Sequence, residues 1–312
     1  MRIFVAGATG ALGKQLVPRL VGKGHEVTAL TRSESKAGEV REMGATPVVA
    51  DALDADDIAQ AVAQARPEVI VHELTALSGK MDLRNFDKTF HVTNRLRTEA
   101  TDHLLAAGRA VGVKKFVIQS FTGWPYERVG GPIKTEGDPL DPDPLPTMRE
   151  TLGAIRYLED AVTGADWTEG IVLRYGGFYG PGTSLWTGGE QVEQIRKRRF
   201  PVVGDGAAIW SLVRIDDAAE ATIAAIDRGK RGIYNITDDV PTRASELIPG
   251  IAETIGAKPP RHVPRWLARV LAGKAAVVMM TELRGASNAK AKRELGWRPR
   301  YPSWDEGLAE AT

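Results

Sequence analysis

The 312 residues contain no cysteine, which excludes disulfides, thiolate nucleophiles, iron–sulfur clusters and cysteine-based zinc sites. Neither sign of charge dominates: 41 Lys and Arg meet 40 Asp and Glu, a formal charge of +1 that gives no global field for nucleic acid. No apolar run approaches the ~20 residues of a membrane span; the longest, Val270 to Met280, is interrupted by Lys274. Met1 runs within six residues into a glycine-rich stretch, which leaves no apolar core for a signal peptide. His25, His72, His91, His103 and His262 lack HxxxH or HExxH spacing, so no metal site is expected. The expectation is a cytoplasmic protein that takes a small-molecule substrate, with no nucleic-acid or membrane partner.

What is present is glycine, 33 residues of it, and short β-branched runs alternating with helical stretches. That alternation predicts an α/β fold, a Rossmann-type doubly wound parallel sheet with a smaller mixed C-terminal lobe. Strands are expected at Arg2–Ala6, Glu26–Leu30, Thr46–Ala50, Val69–His72, Lys115–Ser120, Gly170–Arg174 and Gly232–Thr237. Residues 121–148 hold six of the 18 prolines and show neither helical nor strand periodicity, which marks a long functional loop. We expect a nucleotide-binding core over 1–174 and a substrate lobe over 175–312, part of which returns to the core. Pro18 is expected to kink the first helix.

The strongest local signal is RIFVAGATGALG, a strand running into Gly7, Gly10 and Gly13 at the start of a helix. Glycine there permits a tight turn, close backbone approach to a pyrophosphate, and close helix–strand packing. Thr9, Ala11 and Leu12 complete the loop, and the helix N-terminus offers free N–H donors to phosphate. The second strand ends in Thr31, Arg32 and Ser33 where a carboxylate would accept from the ribose of NAD. A guanidinium between two hydroxyls suits a 2′-phosphate, so NADP(H) is favoured and NAD(H) stays open. Asp51 and Ala52 after the third strand are placed for adenine, and Leu74, Thr75 and Ala76 after the fourth for the other cofactor half.

GATGALG, ADALD, VIVHELTA, VGVKKFVIQS, LRYGGFYGPG, VRIDDAAEA and RELGWRPRYPSWDEGL, in that order, resemble the extended short-chain dehydrogenase/reductases, among them the NAD-dependent epimerase/dehydratases. The resemblance covers nearly the whole chain. It implies a bound nicotinamide nucleotide, contacts from Asn94, Tyr175 and Gly176, a pocket between core and lobe, and is compatible with a homodimer through the two long core helices. The family's catalytic Tyr-x-x-x-Lys is missing, because no tyrosine of this sequence is followed four residues later by lysine. On the helix TLGAIRYLEDAV, Thr151 falls at the tyrosine position and Ile155 at the lysine position.

A replacement acid is then sought among Ser120 and Thr122, which close the fifth strand, Tyr126 and Lys134 in the long loop, and Thr151 itself. For Tyr126 the alternative is anchoring of the loop beside Trp124. Phe121, Trp124, Phe178, Tyr179, Trp186 and Trp210 suggest a fairly apolar substrate wall, although core packing is the ordinary role of any one of them. Asp216 or Asp217 is expected to cap its own helix. The function expected is an NADPH-dependent oxidoreductase acting on a carbonyl or enone through a non-standard proton donor. An epimerase or dehydratase using bound NAD(P), and a nucleotide-binding protein without redox turnover, are the alternatives.

Overall fold

The computed structural model describes residues 1–77 and 82–310. Seven parallel strands form the central sheet: β1 (Arg2–Ala6), β2 (Glu26–Thr31), β3 (Thr46–Val49), β4 (Val69–His72), β5 (Lys115–Phe121), β6 (Glu169–Tyr175) and β7 (Gly232–Ile236). Their spatial order is β7-β6-β5-β4-β1-β2-β3. The progression of the chain across the sheet therefore reverses between β1 and β4, which opens a crevice at their carboxyl ends.

The sheet is buried on both faces because its strands are apolar at successive positions. Ile3 and Val5 point to one face with Val71, Val117 and Leu173, where α1 (Ala11–Gly22) and, later in the chain, α7 (Ile215–Arg228) cover them. Phe4 and Ala6 point to the other with Ile70, Phe116 and Val172, under α3 (Ala55–Ala65), α4 (Phe86–Val111) and α5 (Arg149–Gly164). The helix α2 (Glu34–Glu42) follows β2, and α6 (Glu190–Arg196) lies outside the core. The helix α1 continues without a break through Pro18, which lies on its exposed side.

The segment expected as the lobe contains, after β7, α8 (Ala244–Thr254), α9 (Arg265–Thr281), α10 (Ala289–Glu294) and α11 (Trp304–Ala309). Gly273 breaks α9 with φ 88° and ψ 171°, and the Arg84 side chain packs into the notch. Asp217 does not cap α7, which has no side-chain cap. Its carboxylate instead accepts from the amides of Arg300 and Tyr301, at 2.9 and 3.1 Å, and so ties the returning C-terminal segment to the core. Loop 121–148 is pinned by pairing of Ile133–Lys134 with Gly285–Ala286 and by a bridge between Tyr126 and Leu140. Among the described residues no helix is long and apolar enough to cross a membrane.

Candidate active site

The carboxyl end of β1 leads into Gly7, whose φ of 103° is a left-handed conformation that disfavours a side chain. A Cβ there would lie 2.6 Å from the Glu73 carbonyl oxygen, and one on Gly13 would lie 2.3 Å from that of Gly7. Both glycines are therefore required by backbone approach. Gly10 precedes α1 in extended conformation, with no side chain capping the helix and no acid in its first turn. The N–H groups of that turn, flanked by Thr9, Ala11 and Leu12, face a cradle that suits a pyrophosphate.

The other residues expected for the nucleotide follow the carboxyl ends of β2, β3 and β4. At the end of β2, Thr31 is buried, Arg32 is exposed without an ion pair among the described residues, and Ser33 precedes α2 with its hydroxyl 2.9 Å from that of Ser35. Asp51 keeps an exposed carboxylate that accepts from the Leu53 amide, above buried Ala52. The Leu74–Ala76 stretch is held by two bonds: the Leu74 amide donates to His72 Nδ1 and the Ala76 amide to Thr93 Oγ1. His72 Nε2 meets the Leu96 carbonyl at 3.2 Å, so the ring is neutral with its proton on Nε2. Burial, helped by the nearby Arg97 charge, lowers His72 to about 4.

Thr151, Ile155 and Glu159 share one face of α5, each doing something different. The buried Thr151 hydroxyl donates to Asp87 Oδ1 at 2.6 Å and accepts from Asn94 Nδ2 at 3.1 Å. Ile155 is sealed in an apolar cluster with Phe86, Phe90, Trp124 and Leu152. Glu159 is gripped by Arg174 through Nε at 2.8 Å and Nη2 at 2.5 Å, and also accepts the Ser120 hydroxyl at 2.6 Å.

The loop candidates are similarly engaged. Tyr126 is fully buried, donates to Asn235 Oδ1 at 2.9 Å and accepts from Arg174 Nη1 at 3.1 Å, and burial raises its pKa. Lys134 Nζ closes the loop on itself through the Val129 carbonyl and Asp138. Thr122 Oγ1 is buried near Tyr126 and makes no hydrogen bond of good geometry among the described residues. Phe121 packs on the same apolar cluster as Trp124, which meets Phe86 edge to face at 5.2 Å.

After β6, Tyr175 donates to the carboxyl of Glu73 at 3.4 Å and lies 2.7 Å from Thr222 Oγ1. Glu73 is buried, one of its oxygens has no partner among the described residues, and desolvation pushes its pKa well up. Gly176 is required because a Cβ would meet the Ser211 carbonyl at 2.6 Å. Phe178 packs on Tyr175. Tyr179, Trp186 and Trp210 belong to the lobe: Tyr179 donates to the Ser303 carbonyl, Trp186 lies under Arg214, and Trp210 donates to the Met279 carbonyl. Phe121 and Trp124 thus lie beside α5, Phe178 packs on Tyr175 of β6, and Tyr179, Trp186 and Trp210 lie in the segment between β6 and β7.

Sequence reasoning passed over Asp87, Arg97, Glu159, Arg174 and Glu73 as site residues. Arg174 and Glu73 were detectable as charges at the ends of otherwise apolar strands, and Arg97 as a cation on the apolar stripe of α4. No group of three metal-ligating side chains occurs among the described residues.

Comparison with known proteins places this geometry. A 3-diazoavenalumate denitrifying reductase from a Streptomyces species is 42% identical over 99% of both chains. The UDP-glucose 4-epimerase of Thermotoga maritima, solved with UDP-glucose, superposes with TM-score 0.78 at 24% identity, covering 100% of this chain and 97% of the other. That of Thermus thermophilus, solved with NAD, gives 0.73 at 24% identity with the same coverage. The family model described as the NAD dependent epimerase/dehydratase family matches residues 3–237. From the glycine cradle at β1 to the return of the chain at β7, this protein belongs to the NAD-dependent epimerase/dehydratase family.

Proposed function

We propose that the protein is an NAD(P)H-dependent reductase whose acceptor takes hydride without a proton from α5, and that this acceptor is a small arene diazonium. The observation that carries the reading is Thr151. It stands where the family resemblance calls for the proton-donating tyrosine, and its hydroxyl already donates to Asp87. The residue at the lysine position, Ile155, is apolar and sealed.

When bound, the nicotinamide supplies hydride. Gly7, Gly10 and Gly13 would admit the pyrophosphate to the N-terminus of α1. Thr31, Arg32 and Ser33 would receive a 2′-phosphate, which favours NADP(H) over NAD(H). Asp51 and Ala52 would flank adenine, and Leu74, Thr75 and Ala76 the nicotinamide side. Phe121 and Trp124 would form an apolar wall for an aromatic ring.

The net reaction balances without an acid. The carbon–nitrogen bond of Ar–N2⁺ breaks, the hydride pair becomes the new C–H bond, and dinitrogen leaves. The name of the 42%-identical relative, a denitrifying reductase of a diazo compound, supports this class. Ketone reduction instead leaves an alkoxide that must be protonated. Ser120, Tyr126 and Thr151 have their donors engaged, and Lys134 directs two of its three N–H groups to the Val129 carbonyl and Asp138. A carbonyl or enone reductase is the second reading, supported by Thr122, whose hydroxyl makes no hydrogen bond of good geometry among the described residues.

Incubation with NADPH or NADH and a panel of arene diazonium salts, ketones and enones separates the two. Loss of absorbance at 340 nm with formation of the deaminated arene is expected for diazonium salts. Oxidation of cofactor by ketones or enones alone would sink the first reading. A homodimer through α4 and α5 is part of this proposal, and sedimentation velocity checks it, a monomer at micromolar concentration overturning it.

A further inference from the structure

Arg97 lies on α4 at a position that helical periodicity assigns to the interior, seven residues after Phe90. Its side chain is 8% exposed, and its guanidinium carbon lies 5.8 Å from the centre of the Phe90 ring. Among the described residues it makes one hydrogen bond, a long 3.4 Å contact from Nη1 to Asn94 Oδ1. No carboxylate lies within ion-pair distance among the described residues, and burial lowers its pKa to about 10. Arg174, equally buried, shows the contrast, since Glu159 holds it through two bonds. A guanidinium carries five N–H donors, and a buried charge with so few partners is costly to keep. Its remaining N–H groups are free, among the described residues, to donate to acceptors that a ligand brings.

Two contacts and the field of a nearby carboxylate place Arg97 in the fold. Asn94, which holds Arg97, donates to Thr151 at the start of α5. The Glu159 carboxylate two turns further along α5 acts electrostatically on Arg97. Phe90, beneath the guanidinium, packs in the same cluster as Ile155, midway between those two residues. Arg97 therefore faces α5 at the level of Ile155. Its charge is also felt by His72 at the carboxyl end of β4, beside the sheet crevice.

Resting on the reading of the chain as a nicotinamide-nucleotide enzyme, we propose that Arg97, reaching across from α4, supplies the cation of the nicotinamide half of the site. It donates to the hydroxyls of the nicotinamide-side ribose and fills from another helix the role that Ile155 cannot perform. Arg97 is in these terms a cofactor-positioning residue.

The test measures binding of NADPH by nucleotide fluorescence, and binding of 2′,5′-ADP, which lacks the nicotinamide half, by calorimetry. Arg97→Met is expected to weaken NADPH by about tenfold or more while leaving 2′,5′-ADP unchanged. Adding Ile155→Lys to that variant is expected to restore a large part of the loss, because the cation returns from α5. Arg97→Gln, which keeps polarity without charge, serves the same comparison if the methionine variant does not fold. A folded Arg97→Met or Arg97→Gln protein that binds NADPH as tightly as the unaltered protein overturns the proposal. Equal weakening of NADPH and 2′,5′-ADP overturns it also, because the effect would not be local to the ribose. If the unaltered protein binds none of NADPH, NADH and 2′,5′-ADP, the nicotinamide-enzyme reading itself fails, a result visible before any variant is made; if it binds NADH alone, the Arg97 variants are compared on NADH and ADP instead.

Discussion

Asp87 of α4 and Thr151 of α5 are joined at a single carboxylate oxygen, which accepts the threonine hydroxyl at 2.6 Å and the threonine amide at 2.9 Å. The other oxygen of Asp87 accepts the Glu150 amide at 3.2 Å, so a residue of one helix caps the start of the next. Asp87→Ala is expected to cost about 2 kcal/mol and Thr151→Val about 1 kcal/mol of stability. Urea unfolding measures both. The Thr151→Val protein is expected to keep its turnover within about twofold, whereas a hundredfold loss in a folded protein would return Thr151 to the role of acid.

Cofactor choice turns on Arg32, an exposed cation with no ion pair among the described residues. Arg32→Asp removes the phosphate partner and places a carboxylate where a ribose hydroxyl can use it. The expected outcome is a tenfold to hundredfold weaker NADPH dissociation constant, roughly, with NADH unchanged or tighter. Parallel fluorescence titrations decide the matter, and equal effects on both nucleotides would show that Arg32 does not select between them.

The buried Glu159–Arg174 pair predicts an asymmetry between single and double variants. Arg174→Met strands the Glu159 charge and is expected to cost about 3–5 kcal/mol. Glu159→Leu combined with Arg174→Met removes both charges and is expected to cost less than that single change. Denaturant midpoints at constant m-value provide the comparison.

His72 gives a pH dependence with a definite sign. Its folded pKa of about 4 lies below its ordinary 6.5, so between these values the unfolded chain binds a proton that the folded chain refuses. Stability is therefore expected to fall as pH drops from 6.5 towards 4, by at most about 3 kcal/mol from this group. His72→Gln is expected to flatten that part of the stability profile, and an unaltered slope would assign the acid sensitivity to other groups.

Asp238 has the opposite sign. Both of its carboxylate oxygens lack hydrogen bonds of good geometry, and burial raises its pKa to about 8. The unfolded carboxyl releases its proton near 3.8 while the folded one holds it, so stability is lost as pH rises through this interval. Asp238→Asn is expected to stabilise the protein at pH 8 by on the order of 2 kcal/mol, measured by thermal or urea unfolding at pH 5 and pH 8. A gain equal at both values would point to packing instead of charge.

The sheet and the cradle were legible because their signals are local. Strand periodicity located all seven central strands to within a residue or two, and Gly7 and Gly13 announced backbone approaches that the structure contains. The engagement of the hydroxyls was not legible. Ser120 and Glu159 lie 39 residues apart, and Tyr126 and Asn235 lie 109 apart. Nothing in local pattern says which distant polar group will meet which. Asp217 illustrates the same limit, since the amides it accepts from belong to a segment 83 and 84 residues away. Gly273 shows another, because apolar periodicity reads straight through a glycine whichever sign its φ adopts.

The position of β7 constrains how proteins of this design can change. The strand pairs with β6 along the whole sheet edge, yet the two are separated in sequence by the segment that carries Tyr179, Trp186 and Trp210. No single cut therefore yields one piece with the complete sheet and another with the aromatic lobe. Exchange of that segment between relatives must therefore carry both of its junctions with the sheet.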